Sequence, residues 1–144
     1  MAQEEERRGS EDRDRSDGRE GDGQRVRATE GRGRPDEVLV GLVTAPPDDA
    51  GRIAGVLVER GFAACCNVVS PVTSIFTWKG ARETETEALL VIKTIRARSD
   101  DLANCVREVH PYDLPEVIFL PVTAGLEDYL NWVRDECGLK EKAE

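Results

Sequence analysis

Aromatic residues are scarce: three Phe, two Trp and two Tyr in 144 residues. Histidine is scarcer still, and His110 is the one imidazole available to any metal cluster. Four cysteines are present without a CxxC pair. Cys65 and Cys66 are adjacent, and in a strand they point to opposite faces. Cys105 and Cys137 fall within apolar helical patterns. This is no disulfide framework, and the thiols read as small hydrophobes in a reducing cytoplasm. Basic charge is short, with 20 Lys and Arg against 29 Asp and Glu, a net charge of −9 and a pI near 4.8. That balance excludes the basic face that nucleic acid or an anionic membrane requires. No apolar run approaches the ~20 residues of a membrane span. Residues 3–8 lack the apolar stretch of a secretory signal, so none is expected. Nor is there a Walker A loop, a GxGxxG, a GxSxG or an HExxH.

What is present divides sharply. Residues 1–36 hold 9 basic and 11 acidic residues, six glycines and four apolar residues (Met1, Ala2, Val26, Ala28). Such a segment cannot bury enough apolar surface to offset the entropy of ordering it. We expect a disordered mixed-charge tail whose removal leaves stability nearly unchanged. Residues 37–144 carry 11 basic and 18 acidic residues and nearly all the apolar ones, enough for one domain with a modest core.

Along that domain, Glu37 to Thr44 is a short apolar run that predicts a doubly covered strand, ended by Pro46-Pro47. Pro47, Asp48 and Asp49 suit a helix first turn, and Ala50, Ile53, Ala54 and Leu57 form one helical face. Gly61 stops it. Phe62 to Trp78 predicts a strand, bent or bulged near Pro71. Lys79 to Arg82 supplies a turn, and Glu83 to Ile95 returns. Ser99 is the expected N-cap of a second helix with a face at Leu102, Cys105, Val106 and Val109, ended by His110-Pro111. Glu116 to Val122 predicts a fourth strand. Leu126, Tyr129, Leu130 and Val133 mark a last helix, closed by Gly138. The order is β-α-β-β-α-β plus a C-terminal helix. It predicts an α+β, ferredoxin-like sandwich with a four-stranded antiparallel sheet. The hairpin strands are too long for it: 13 residues at ~3.3 Å span about 43 Å, against a diameter of roughly 34 Å for such a domain. The overshoot carries Ile75, Phe76 and Trp78, and a partner subunit is the natural cover.

Chemistry-bearing residues are few. His110 at a helix end is either a structural hydrogen-bonder or a ligand. Glu83, Glu85 and Glu87 alternate on a strand, which reads first as a solvated face and second as a row of hard-metal ligands. Lys93 interrupts an apolar run, so it either faces solvent at a sheet edge or reaches a wet site.

Val43-Thr-Ala-Pro46, Phe62-Ala-Ala-Cys-Cys-Asn67, Ser74-Ile-Phe-Thr-Trp-Lys-Gly80, Ile92-Lys-Thr94, His110-Pro-Tyr112, Pro115-Glu116, Leu120-Pro121 and Tyr129-Leu-Asn-Trp132 stand in the chain in that order. In order and spacing the set resembles the CutA divalent-cation tolerance family over about residues 37–137. The resemblance implies a ferredoxin-like homotrimer built by long hairpins packing edge to edge. It implies tolerance of divalent metals, chiefly copper, a likeness to PII-type signalling trimers and no catalysis. Copper binding in that family is attributed to a cysteine at the end of the first strand and a pair of adjacent histidines. Here Val43 stands at the first position and Val109-His110 at the pair, so only His110 carries over as a metal residue. The expectation is weak binding of Cu(II) or another divalent cation. Trp78, Lys93, His110, Tyr112 and Glu116 match motifs that line a cleft between subunits, where a metal ion or small anion would bind. The alternative is a PII-like regulatory trimer that takes a small anion and a protein partner.

Overall fold

The computed structural model describes residues 25–26 and 33–138. Most of the expected tail, residues 1–24 and 27–32, lies outside them. The elements are β1 (Val38–Ala45), α1 (Pro47–Glu59), β2 (Cys65–Trp78), β3 (Ala81–Ile95), α2 (Ser99–Val109), β4 (Ile118–Pro121) and α3 (Glu127–Glu136), with a short 3-10 turn at Arg96–Arg98. One antiparallel sheet has the order β2-β3-β1-β4. This is the expected ferredoxin-like order.

Local chemistry accounts for the joints. Pro46 precedes α1 and Pro47 opens it, with Asp48 and Asp49 in its first turn. Gly61 takes φ +77°, the left-handed conformation that ends a helix and that glycine adopts without strain. Lys79 and Gly80 both have positive φ, so the β2–β3 connection is a two-residue turn whose twist matches its strands. The β2 register slips between Val69 and Val72, at the expected Pro71 irregularity. Ser99 does not cap α2. It is the first helical residue, and its hydroxyl donates to the Arg96 carbonyl at 2.8 Å, closing the preceding turn.

Cross-strand partners share a face of the sheet, so the pairings sort the side chains. One face carries Leu39, Gly41 and Val43 of β1 opposite Thr94, Ile92 and Leu90 of β3. Helices α1 and α2 cover it, and Val43, Leu90, Ile92, Ile53, Leu57, Leu102 and Val106 are fully buried in the resulting core. The opposite face carries Val40, Leu42 and Thr44, beside Lys93, Val91 and Leu89, with Cys65, Asn67 and Val69 on one flank and Leu120 and Ile118 on the other. None of these is fully buried, and Val69, Ile118 and Leu120 are about half exposed, at 46%, 50% and 48%. Helix α3 covers only the end of that face, where Val133 and Cys137 pack on Val38 and Ile95. The expected α3 stripe is therefore split: Val133 is buried, while Leu126 and Tyr129 remain exposed.

Strand β1 pairs with β3 only from Ala88 to Ile95, and residues Ala81 to Glu87 pair with β2 alone. The hairpin thus overhangs the sheet by roughly 20 Å at ~3.3 Å per residue. Burial along β3 changes phase at this boundary. Glu85 and Glu87 are buried while Thr84 and Thr86 are exposed, and from Ala88 the even positions are the buried ones. The glutamate row is therefore not a solvated face. The threonines take that role.

Residues 34–36, at the end of the expected tail, are tied to the domain. The Pro35 carbonyl accepts from Ala97 N–H at 2.9 Å, and the Asp36 carbonyl accepts from Arg134 Nε at 2.8 Å. Removing residues 1–32 takes away one exposed hydrogen bond, from Val26 N–H to Asp100 Oδ1 at 2.9 Å, and is expected to leave the melting temperature nearly unchanged. Removing residues 1–36 should lower it by about 8 °C, given two lost hydrogen bonds at roughly 1 kcal/mol each and about 4 °C per kcal/mol at this size. Calorimetry on the two truncations distinguishes these outcomes.

Candidate functional site

Chain breaks at prolines gather the site at one end of the sheet. Strand β1 must stop before Pro46-Pro47, which leaves Thr44 near its end. Helix α2 must stop at His110, which sits extended (φ −83°, ψ 142°) before Pro111. Arg52 of α1 reinforces that stop. It donates to the Val109 carbonyl at 3.0 Å while its other nitrogen holds Asp49 at 3.0 Å. The segment from 110 to 116 then passes the end of β1 and leads into β4, which pairs with β1.

His110 is buried and uses both ring nitrogens. Tyr112 N–H donates to Nδ1 at 3.1 Å, so the neutral ring carries its proton on Nε2 and donates to the Thr44 carbonyl at 2.8 Å. Tyr112 is buried, its ring centroid 4.8 Å from that of His110. Its hydroxyl donates to Oε2 of Glu87 at 2.9 Å, across to the base of the overhanging hairpin. The Thr44 hydroxyl donates to Oε1 of Glu116 at 3.3 Å.

Of the five cleft residues expected from the sequence, His110, Tyr112 and Glu116 come together. Lys93 and Trp78 do not join them within one chain. Lys93 lies opposite Val40, four residues or roughly 13 Å along β1 from Thr44, with its ammonium on the Asn67 side-chain oxygen. It sits on the open face of a central strand, not at an edge. Trp78 is at the hairpin tip opposite Ala81, six residues or roughly 20 Å from Glu87. Thr44 and Arg52 escaped the sequence reading, and Glu87 was read only as part of its row, solvated or metal-binding, and not as the partner of Tyr112. Glu87 had one signal: it is the last glutamate before the apolar run begins at Ala88.

The donors do not form a metal site within one chain. Among the described residues no three His, Cys, Asp or Glu side chains come together as a metal-binding group. Val43 is fully buried in the helix-covered core and Val109 packs against that core, so neither position opens on the site. Burial pushes the Cys66 thiol up to about 12, with the neighbouring Cys65 adding to the rise, so a thiolate there is costly.

The sequence model of the CutA1 divalent ion tolerance protein family matches residues 39–136. The chain belongs to this family. It is 50% identical to the Xenopus laevis protein CutA homolog over 94 residues, covering 65% of this chain and 62% of the frog protein. It is 44% identical to human protein CutA over 101 residues, covering 69% of this chain and 56% of the human protein. The match therefore spans less than two thirds of these vertebrate CutA proteins. It spans 95% of the Thermus thermophilus divalent-cation tolerance protein CutA, at 40% identity over 98 residues and 67% of this chain. Among solved CutA structures, the Thermus thermophilus protein superposes with a TM-score of 0.68 at 39% identity, covering 70% of this chain and 99% of that one. The PII-like protein CutA from Nostoc sp. PCC 7120, in apo form, gives 0.66 at 36% identity, covering 71% and 99%.

Tyr112→Phe removes the phenol from the buried Glu87 carboxylate. The expected cost is about 2 kcal/mol, the range for hydrogen bonds to charged groups. Guanidinium unfolding at fixed protein concentration measures it.

Proposed function

We propose that this CutA chain works as a homotrimer that binds a small ligand between subunits and catalyses no reaction. The observation that carries the assembly is the uncovered apolar face of the sheet. Val40, Leu42, Leu89 and Val91 lie at its centre, and Val69, Ile118 and Leu120 at its two open edges. An apolar surface of this extent, bounded by unpaired strand edges, is normally covered by protein. The overhanging hairpin reaches in the same way beyond its own sheet, with Ile75 63% exposed. Trp78 meets the His110–Tyr112–Glu116 group only if a hairpin tip from one subunit lies beside the sheet end of the next, with Lys93 further along the same open face. That juxtaposition is the proposed ligand cleft. Four free cysteines fit a reducing, cytoplasmic setting.

The ligand class follows from the donors. Cu(II) normally needs several N, O or S ligands, and one chain brings one imidazole. Cu(II) or another divalent cation therefore binds weakly unless neighbouring subunits complete the site. A small anion suits Lys93, and the likeness to a PII-like protein favours this second reading, in which anion binding is relayed to a protein partner.

Multi-angle light scattering at micromolar concentration should give three times the 15.9 kDa chain mass. Val69→Asp and Leu120→Asp, on opposite edges of the open face, should each shift the mass toward one chain. A clean wild-type monomer contradicts the assembly. A thermal-shift screen of divalent metals against nucleotides and other small anions then ranks the ligand classes, because a ligand bound only by the native state raises its melting temperature.

A further inference from the structure

Family membership suggests a metal role for His110, and the geometry points elsewhere. We infer that His110 is a latch with a fixed tautomer, fastening the 110–116 segment to the end of β1, and not a metal ligand. Every bond in the argument lies within one chain, so the inference does not rest on the proposed assembly.

A metal binds an imidazole through a nitrogen lone pair, and the neutral ring has one. Here that lone pair, on Nδ1, accepts the Tyr112 N–H at 3.1 Å. The other nitrogen carries the proton and gives it to the Thr44 carbonyl at 2.8 Å. Coordination through Nδ1 would displace the amide of a residue that is only 2% exposed. Coordination through Nε2 would require moving the proton to Nδ1, which sets two N–H groups against each other and strips the Thr44 carbonyl. Either route costs a buried hydrogen bond before any metal bond forms.

The surroundings show what the latch secures. Thr44 anchors the segment twice, through its carbonyl to His110 and through its hydroxyl to Glu116 at 3.3 Å. Between these anchors Tyr112 reaches Glu87 at 2.9 Å and ties the segment to the base of the hairpin. The Arg52 bond to the Val109 carbonyl at 3.0 Å fixes the residue before His110. His110 is thus a positioning residue: it sets where Tyr112 and Glu116 stand.

The chain's single histidine makes the test clean. Full-length protein labelled with nitrogen-15 in histidine gives one pair of ring signals, which report the tautomer directly. The expected result is an unprotonated Nδ1 and a protonated Nε2, both unmoved and unbroadened by one equivalent of copper(II) sulfate. Competition with a chelator should then give His110→Ala a copper affinity within twofold of wild type, although its melting temperature falls. His110→Asn retains an acceptor for the Tyr112 amide and should recover part of that fall. If the alanine variant does not fold, the spectrum of the wild-type protein and the asparagine variant carry the test. Ring signals bleached by substoichiometric copper, a proton on Nδ1, or a tenfold loss of copper affinity on substitution would each overturn the inference. An unchanged melting temperature in His110→Ala would overturn it as well.

Discussion

A four-stranded sheet has two faces, and the described residues cover only one of them in full. Helices α1 and α2 seal the face that bears Val43, Leu90 and Ile92. On the other, α3 reaches only Val38 and Ile95, and the apolar residues from Val40 to Leu120 stay partly in water. The rest of the architecture follows from that shortfall. Among the described residues no helix covers the centre of the second face, and the proposed assembly covers it with other copies of the chain. The overhanging hairpin extends the same sheet beyond its own helices. The end of β1, where the hairpin leaves the sheet, is where the 110–116 segment crosses and gathers His110, Tyr112 and Glu116.

The hairpin solves a polar problem at that crossing. Strand β3 buries Glu87 and Ala88 in succession, on opposite faces, as it passes from the overhang into the sheet. A carboxylate at such a place needs a donor, and the Tyr112 hydroxyl provides one. The tyrosine can reach it only because the segment is held at His110 and Glu116. Arg52, which caps α2 through the Val109 carbonyl, is the outermost support of the same arrangement. Stability and site geometry are therefore one network, and a substitution made to probe the ligand also loosens the loop.

Much of this was legible in the sequence. The faces of α1 and α2 followed from their 3.6-residue spacing, and the element order fixed the ferredoxin-like topology. Even the Pro71 irregularity showed, because proline cannot donate to a ladder. The glutamate row misled, since alternation shows that two faces differ but not which is wet. The α3 stripe misled differently: Leu126, Tyr129 and Val133 have helical spacing, yet of the stripe only Val133 and Leu130 pack into the cluster with Val38 and Ile95, while Leu126 and Tyr129 stay exposed. Thr44 was invisible as a site residue because its role arises from long-range contact, reaching 66 and 72 residues along the chain, and Glu87 was named only with its row because its partner Tyr112 lies 25 residues away. The motif resemblance named candidate cleft residues, but it could not show that Lys93 and Trp78 stand apart within a chain.

Hydrogen exchange tests the central claim, that other copies of the chain cover the open face and its edges. The relevant amides are those of β2 and β4 that bond to no strand within the chain. If the edges are covered, these amides exchange slowly, with protection near that of central strands β1 and β3. If they exchange as fast as exposed loop amides at micromolar concentration, the open face is bare in solution and the account is wrong.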